Sequence, residues 1–221
     1  MCGRFIITEA SDEMARLFEA VPANDLPEVP NYNICPTNQI HAVVADRGVR
    51  RLTAMRWGFL PKWYKTLNDR PLLINARGET LAEKPAFRAA ARARRCLIPA
   101  NGFYEWTKTS DGDRLPWFIQ GSRESMLAIA GVWQEWERGD KLLTTCAIVT
   151  TAANPAMAEL HHRMPVILRP EDWALWLGEE GHGAATLMKA APEDALRWHR
   201  VDPAVNSNRA VGEALIVPLA A

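Results

Sequence analysis

A mainly β fold of the α+β class, with a barrel-like or sandwich-like core and peripheral helices, is the expectation for this chain. Three observations predict it. Short apolar runs bounded by Gly, Pro, Asn or Asp recur along most of the chain. The helical patterns between them are few and short. No repeat period and no linker divides the 221 residues, so one domain over residues 1–221 is expected, and a 48% hydrophobic content supports a real core.

Taken in order, residues 3–8 read as a strand. Ser11-Asp12-Glu13 opens a helix to about Ala20, its acids favouring the positive end of the helix dipole. Residues 22–38 are Pro-rich and read as a loop. Apolar clusters between turn signals predict strands near 40–45 and 50–57. Trp57 to Trp63 holds too many Gly, Pro and aromatic residues to be regular. Leu72-Leu73-Ile74 reads as a buried strand ending at Asn75. Pro85 to Arg94 is rich in Ala and Arg and predicts a helix with Pro early in it. Strands at 96–98 and 102–107 precede a hairpin turn signal, Ser110-Asp111-Gly112-Asp113. Further strands are expected near 115–120, 126–133 and 142–150. Asn154 caps a short helix to about His161. Pro165 to Leu168 reads as strand, 172–177 and 184–190 as helices, and 196–201 as a late strand before a polar stretch, 202–213.

Several classes are set aside by what the chain lacks. No run of about 18 apolar residues predicts a membrane span. The N-terminus has no basic stretch followed by an apolar segment, so no secretory signal is expected. Cys2, Cys35, Cys96 and Cys146 are scattered without a Cys-x-x-Cys pair, which argues against zinc. A reducing cytoplasm is the simplest compartment. The formal net charge of +0 hides an asymmetry: from Arg47 to Arg95 there are 13 Lys/Arg against 3 acids, so that segment is +10 and the remainder −10. A solvated basic face and a surface for a polyanion both explain such a run. Trp57, Phe59, Trp63 and Tyr64 interleave with the charge and favour single-stranded nucleic acid, which is bound by aromatic stacking along a basic groove.

Candidate chemistry begins at Cys2. Initiator Met is commonly trimmed before a small residue, and trimming would leave a free α-amine beside the Cys2 thiol. That 1,2-aminothiol condenses with aldehydes. The amine, of pKa about 7.7–8.0 when unperturbed, forms an imine, and the thiol closes a five-membered thiazolidine. A buried start-strand cysteine is the plainer reading. Asn75 either caps a turn or hydrogen-bonds a ligand at a strand end. Glu105, among Phe103, Tyr104 and Trp106, either faces solvent or points into a cavity, where burial suits it to proton exchange near neutral pH. His161 and His162 are adjacent, so their side chains do not converge on a metal. One of them as an acid/base group fits better.

Several ordered blocks then resemble the SOS response-associated peptidase (SRAP) family, whose members sense abasic sites in DNA. They are Met1-Cys2-Gly3-Arg4-Phe5, Tyr32-Asn33-Ile34-Cys35-Pro36-Thr37, Trp57-Gly58-Phe59-Leu60-Pro61 and Ile74-Asn75-Ala76-Arg77-Gly78-Glu79-Thr80. Cys96 to Trp106, Ile148 to Asn154 and His161-His162-Arg163-Met164-Pro165 complete them. The blocks run in the family's order over residues 1 to about 170, and the C-terminal fifth is less diagnostic. The resemblance implies a β-rich fold with flanking helices. It also implies binding of single-stranded DNA, with covalent capture of the ring-opened aldehyde of an abasic site. Cys2, Asn75, Glu105 and His161 take the catalytic positions. Arg4, Arg77, Thr150 and Arg163 fall on the DNA path, and a strand-separating wedge falls near Pro36 and near Trp63-Tyr64. In the second wedge loop, Lys65 to Arg70 departs from the family's pattern in length and content. His162 stands where relatives often carry an acid and receives no role. No cofactor, metal or membrane partner is implied. A monomer in the cytoplasm, nucleoid-associated when on DNA, is the expectation. The peptidase label fits self-removal of Met1 or reversal of a crosslink. A general cysteine peptidase using Cys2 and His161, or a non-catalytic DNA-binding module, are the rival readings.

Overall fold

Two sheets carry the fold in this computed structural model, which describes residues 2–67 and 71–219. In chain order the strands and α-helices are β1 (Phe5–Ile7), α1 (Ser11–Leu17), β2 (Ala20–Pro22), β3 (Asn31–Ile34), β4 (Gln39–Asp46), β5 (Val49–Trp57), β6 (Asn75–Arg77), α2 (Arg88–Ala93), β7 (Arg95–Ala100), β8 (Gly102–Lys108), β9 (Arg114–Gly121), β10 (Leu127–Arg138), β11 (Lys141–Ala152), α3 (Pro155–Ala158), β12 (Arg163–Pro165), β13 (Ile167–Leu168), α4 (Trp173–Leu177) and β14 (Leu196–Arg200).

Among the described residues the smaller sheet has five strands in the order β14-β9-β8-β1-β3. The remaining nine strands form the larger sheet. There β7, β4, β5, β11 and β10 close a ring, because the end of β5 pairs in parallel with β11 at Arg56↔Thr145 and Trp57↔Cys146. The closure makes the core barrel-like, as the short apolar runs predict. The long hairpin of β10 and β11 supplies much of it, with Ala128, Ile129, Ala130, Val132, Ala147, Ile148 and Val149 all buried.

β1 is short, and all three of its residues are buried. It lies between β8 and β3, so it has no free edge. Successive residues face opposite sides of a strand. Phe5 and Ile7 therefore enter the main core, while Ile6 joins a second cluster with Tyr104, Phe118, Val201, Val205 and Leu215. The C-terminal segment thus covers the outer face of the smaller sheet. Each such large side chain contributes about 1.5–3 kcal/mol by leaving water. Gly102, opposite Ile6, lets β9 approach: a Cβ there would lie 2.4 Å from the Phe118 ring and 2.7 Å from the Ile119 carbonyl oxygen.

Several local readings are corrected. The Pro-rich segment 22–38 is not all loop, because it contains β3, a strand set between Pro30 and Pro36 where missing N–H groups cost least. The apolar run 72–74 is not the strand. Leu73 makes one isolated bridge to Phe59, and the strand begins at Asn75 instead of ending there. The helix expected over 184–190 is a single 3₁₀ turn, Ala184–Leu187, too short to recover the cost of helix nucleation between Gly183 and Pro192. The +10 segment does not supply free cations throughout. Arg50 pairs with Glu179, Arg56 donates to the Gly58 carbonyl, and Arg95 donates to the carbonyls of Ala91, Arg92 and Trp176.

His41 on β4 is 1% exposed, with Nε2 3.3 Å from the Ser11 hydroxyl. Burial lowers its pKa from 6.5 to about 4. The unfolded chain therefore takes up a proton that the fold refuses. Stability is full above pH 6.5 and falls as pH drops through that window, by at most about 1.4 kcal/mol per pH unit. Urea midpoints measured at pH 7 and pH 4.5 are expected to fall, and His41→Gln is expected to lessen the fall.

Candidate active site at the junction of the two sheets

The pairing of β1 with β8 sets the position of the N-terminal residues. Phe5 pairs with Phe103 and Ile6 with Gly102, and the Tyr104 N–H donates to the Arg4 carbonyl at 2.9 Å. Carried two residues further, this register sets Gly3 opposite Glu105. The alternation of β8 then decides between the two readings of Glu105: the side chain points inward and is only 3% exposed. Cys2 is fully buried.

The larger sheet brings the other two residues. β6 pairs in parallel with β11, with Asn75 opposite Ile148, and the Ile148 N–H donates to the Ile74 carbonyl at 3.0 Å. From there Asn75 Nδ2 donates to the Cys2 carbonyl at 2.9 Å. Asn75 Oδ1 is buried without a hydrogen-bond partner among the described residues. His161 follows α3, whose N-terminus Asn154 caps by accepting from the Met157 N–H at 2.7 Å. The His161 N–H donates to the Met157 carbonyl at 3.0 Å, so the capped turn sets where the imidazole starts.

Electrostatics divide the roles. Burial, reinforced by the Glu105 carboxylate, pushes the Cys2 thiol well above its ordinary pKa. At neutral pH that sulfur is a thiol, not the thiolate that a cysteine nucleophile needs. Burial also lowers the pKa of His161, against the opposing pull of Glu105. The Arg163 N–H donates to His161 Nδ1 at 2.9 Å. The Arg163 carbonyl oxygen lies 3.2 Å from the same Nδ1, so the Arg163 backbone holds the imidazole from both its N–H and its carbonyl, with Nδ1 accepting from the one or donating to the other according to the tautomer. His162 is exposed and stacks on His161 with ring centroids 4.3 Å apart.

A cleft of about 510 Å³ opens onto this junction, lined by Gly3, Arg4, Glu105, Trp106, Lys108, Arg114 and His161. Glu105 is its one acid. A larger cavity of about 680 Å³ near Leu127, Leu168 and Trp173 includes none of the four candidate residues, whereas Glu105 and His161 line the smaller one.

The residues expected along a DNA path are less uniform. Arg4 lines the cleft, its Nη1 donating to Asn33 Oδ1 at 2.6 Å and to the Val205 carbonyl at 3.0 Å. Arg77 is exposed at the end of β6, Pro36 is half-buried after β3, and Trp63 is 51% exposed. Tyr64 is not available for stacking. It is packed with Leu60 and Trp136, and Trp57 and Phe59 are likewise fully buried. Arg163 is an internal strut instead of an open phosphate ligand. It donates to Glu79 through both terminal nitrogens, at 2.7 and 2.9 Å, and to the Thr150 carbonyl at 2.8 Å. Thr150 is fully buried, and its hydroxyl accepts from Arg163 at 3.2 Å. Trp106, which the sequence marks only as a neighbour of Glu105, also lines the cleft, together with Lys108 and Arg114, which neither the basic segment nor the family blocks include. The hairpin signal at 110–113 could have found the last two, since it folds residue 108 onto residue 114.

The Arg163–Glu79 pair supports the site through His161, whose Nδ1 the Arg163 backbone holds. The Arg163 guanidinium lowers the Glu79 pKa from 4.5 to about 2. The pair's stabilisation is therefore present above pH 4.5 and is lost as pH falls towards 2. Glu79→Gln is expected to lower the unfolding free energy at pH 7 by about 1–3 kcal/mol, because it leaves buried donors of Arg163 unsatisfied. Urea unfolding of the variant at pH 7 and pH 3 is the measurement, with a smaller difference from wild type at pH 3.

Comparison with known proteins gives these features a context. The family model for "SOS response associated peptidase (SRAP)" matches residues 1–208. "Abasic site processing protein YoqW" of Bacillus subtilis is 35% identical over 94% of this chain and 95% of its own. "Abasic site processing protein YedK" of Escherichia coli is 30% identical over 99% of this chain and 100% of its own. A crystal structure of a protein from Bacteroides thetaiotaomicron superposes with a TM-score of 0.87 at 22% identity, covering 99% of this chain and 100% of that one, and so shares the fold. The motif order, the two-sheet architecture and the family match together show that this chain belongs to the SRAP family.

Proposed function

We propose that the protein captures abasic sites in single-stranded DNA by forming a thiazolidine between Cys2 and the ring-opened sugar. The observation that carries this reading is the convergence on Cys2: Asn75 holds its carbonyl, and Glu105 acts electrostatically on both its thiol and His161. Relatives of comparable length are named abasic site processing proteins, and the name fits such a site.

The chemistry starts once Met1 is removed. The neutral Cys2 amine adds to C1′ of the aldehyde. Glu105 takes the proton that nitrogen sheds on addition and returns it to the departing hydroxyl, and loss of water gives the imine. His161, on the cleft wall, exchanges a proton with the sugar oxygens and assists ring opening. Asn75 orients Cys2, with Oδ1 left to accept from the amine. The Cys2 S–H then adds across the C=N bond: carbon–sulfur forms, and the thiol proton ends on nitrogen. A neutral thiol suffices for this last step, so the raised thiol pKa fits an amine-first order. Arg4, Arg77 and the exposed Trp63 hold the strand, and an abasic nucleotide enters the cleft cheaply because it has no base to unpair. Pro36 stands beside this path. A peptidase reading asks the buried thiol to attack as a thiolate, which the complete burial of Cys2 disfavours.

Intact-protein mass spectrometry after mixing with single-stranded DNA carrying one abasic site tests the proposal. The expected adduct has the summed mass less one water and survives heating, and Cys2→Ala is expected to lack this heat-stable adduct. An equally heat-stable adduct from Cys2→Ala would overturn the assignment. Cys2→Ser is expected to lose the heat-stable adduct while keeping an imine that borohydride traps. A heat-stable adduct from this variant would exclude the ring-closing step.

A further inference from the structure

Lys108 and Arg114 stand directly opposite each other across the β8–β9 hairpin. Like charges in that position repel. Among the described residues neither one forms an ion pair, although Asp111 and Asp113 lie in the adjoining turn. Arg114 instead rests over the Trp106 ring, 4.9 Å from its centroid, and Arg4 approaches the same ring at 5.7 Å. The ring is itself fixed, since Trp106 Nε1 donates to Asn206 Oδ1 at 2.6 Å. Trp106, Arg4, Lys108 and Arg114 all line the cleft that holds Glu105 and His161. A β-hairpin thus carries unneutralised cations to the mouth of the candidate active site, one of them held against an anchored indole.

We infer that Lys108 and Arg114 form a phosphodiester site for the strand that enters the cleft, at a phosphate flanking the captured sugar. The inference rests on the capture reading and adds residues to it that lie outside the basic segment 47–95. A guanidinium lying over an aromatic ring turns its N–H edge outward, which suits two phosphate oxygens. Lys108 adds a point charge from the paired strand. A bound phosphate relieves the cross-strand repulsion, so the pair favours the liganded state. Trp106, held by Asn206, is the positioning residue for Arg114.

The test uses the full-length protein and a fluorescent, undamaged single strand, with affinity measured from about 50 to 200 mM salt. Lys108→Glu/Arg114→Glu is compared with Arg123→Glu/Arg169→Glu, a charge-matched variant on the larger, separate cavity. Thermal melts confirm that both are folded. Loss of two phosphate contacts is expected to reduce the salt slope by about 1.4, at roughly 0.7 per contact on a single strand. Affinity is expected to fall about threefold or more per cation replaced. Asn206→Ala is expected to reproduce part of that loss with the charge unchanged. An unaltered affinity and slope in Lys108→Glu/Arg114→Glu, or an equal loss in the control, would overturn the site. The abasic adduct of the wild type, measured on the same preparation, separates the two readings. Its absence overturns capture, while the salt slope still decides the phosphate site.

Discussion

The insertion of β1 between β8 and β3 is the constraint on which the site depends. A strand of three residues has little hold of its own, and this one is held from both sides and from both faces. Phe5 meets Trp57 of the closed ring edge-on, with centroids 5.0 Å apart, so the smaller sheet is tied to the larger one next to the start of the chain. Ile6 faces the opposite way, into the layer covered by the C-terminal segment. An N-terminus is ordinarily the loosest part of a chain. Here the residues before β1 are drawn inward far enough to bury Cys2 completely.

That burial shapes the chemistry proposed for the site. Water exclusion and the carboxylate of Glu105 both keep the sulfur protonated, as the proposed amine-first order requires. Asn75 and His161 are supplied by the larger sheet, and Cys2 and Glu105 by the smaller one. Slippage of β1 against β8 by one residue would turn the inward-facing side chains outward. The close approach at Gly102 opposes such a slip, because no other residue leaves room for Phe118. Arg163 performs a related service from beneath. Its side chain is locked to Glu79 and Thr150, and its backbone fixes the imidazole of His161.

Much of this was legible in the chain. The short apolar runs pointed to a β core, and the alternation around Glu105 allowed an inward carboxylate. Asn154 was readable as a helix cap, and the ordered motifs singled out Cys2, Asn75, Glu105 and His161, which the fold brings to one junction. What was not legible depended on long-range partners. Arg163 reads as a free cation until Glu79, 84 positions away, is seen to hold it. Tyr64 reads as a stacking platform until Trp136 closes over it from the far end of β10. The charge count drew attention to residues 47–95, where Arg50, Arg56 and Arg95 are engaged internally. The cleft takes its cations from Arg4, Lys108 and Arg114 instead. Charge along a sequence records composition, and only strand pairing decides which charges share a surface.

The central claim is that both the amine and the thiol of Cys2 become bonded to one sugar carbon. The most direct measurement is carbon-13 NMR of the complex formed with single-stranded DNA labelled at C1′ of its abasic site. The account predicts a saturated carbon bonded to nitrogen and sulfur, lost when the Cys2 amine is acetylated. A C1′ resonance still in the aldehyde or hemiacetal form, or a sulfur adduct that survives acetylation, would contradict it.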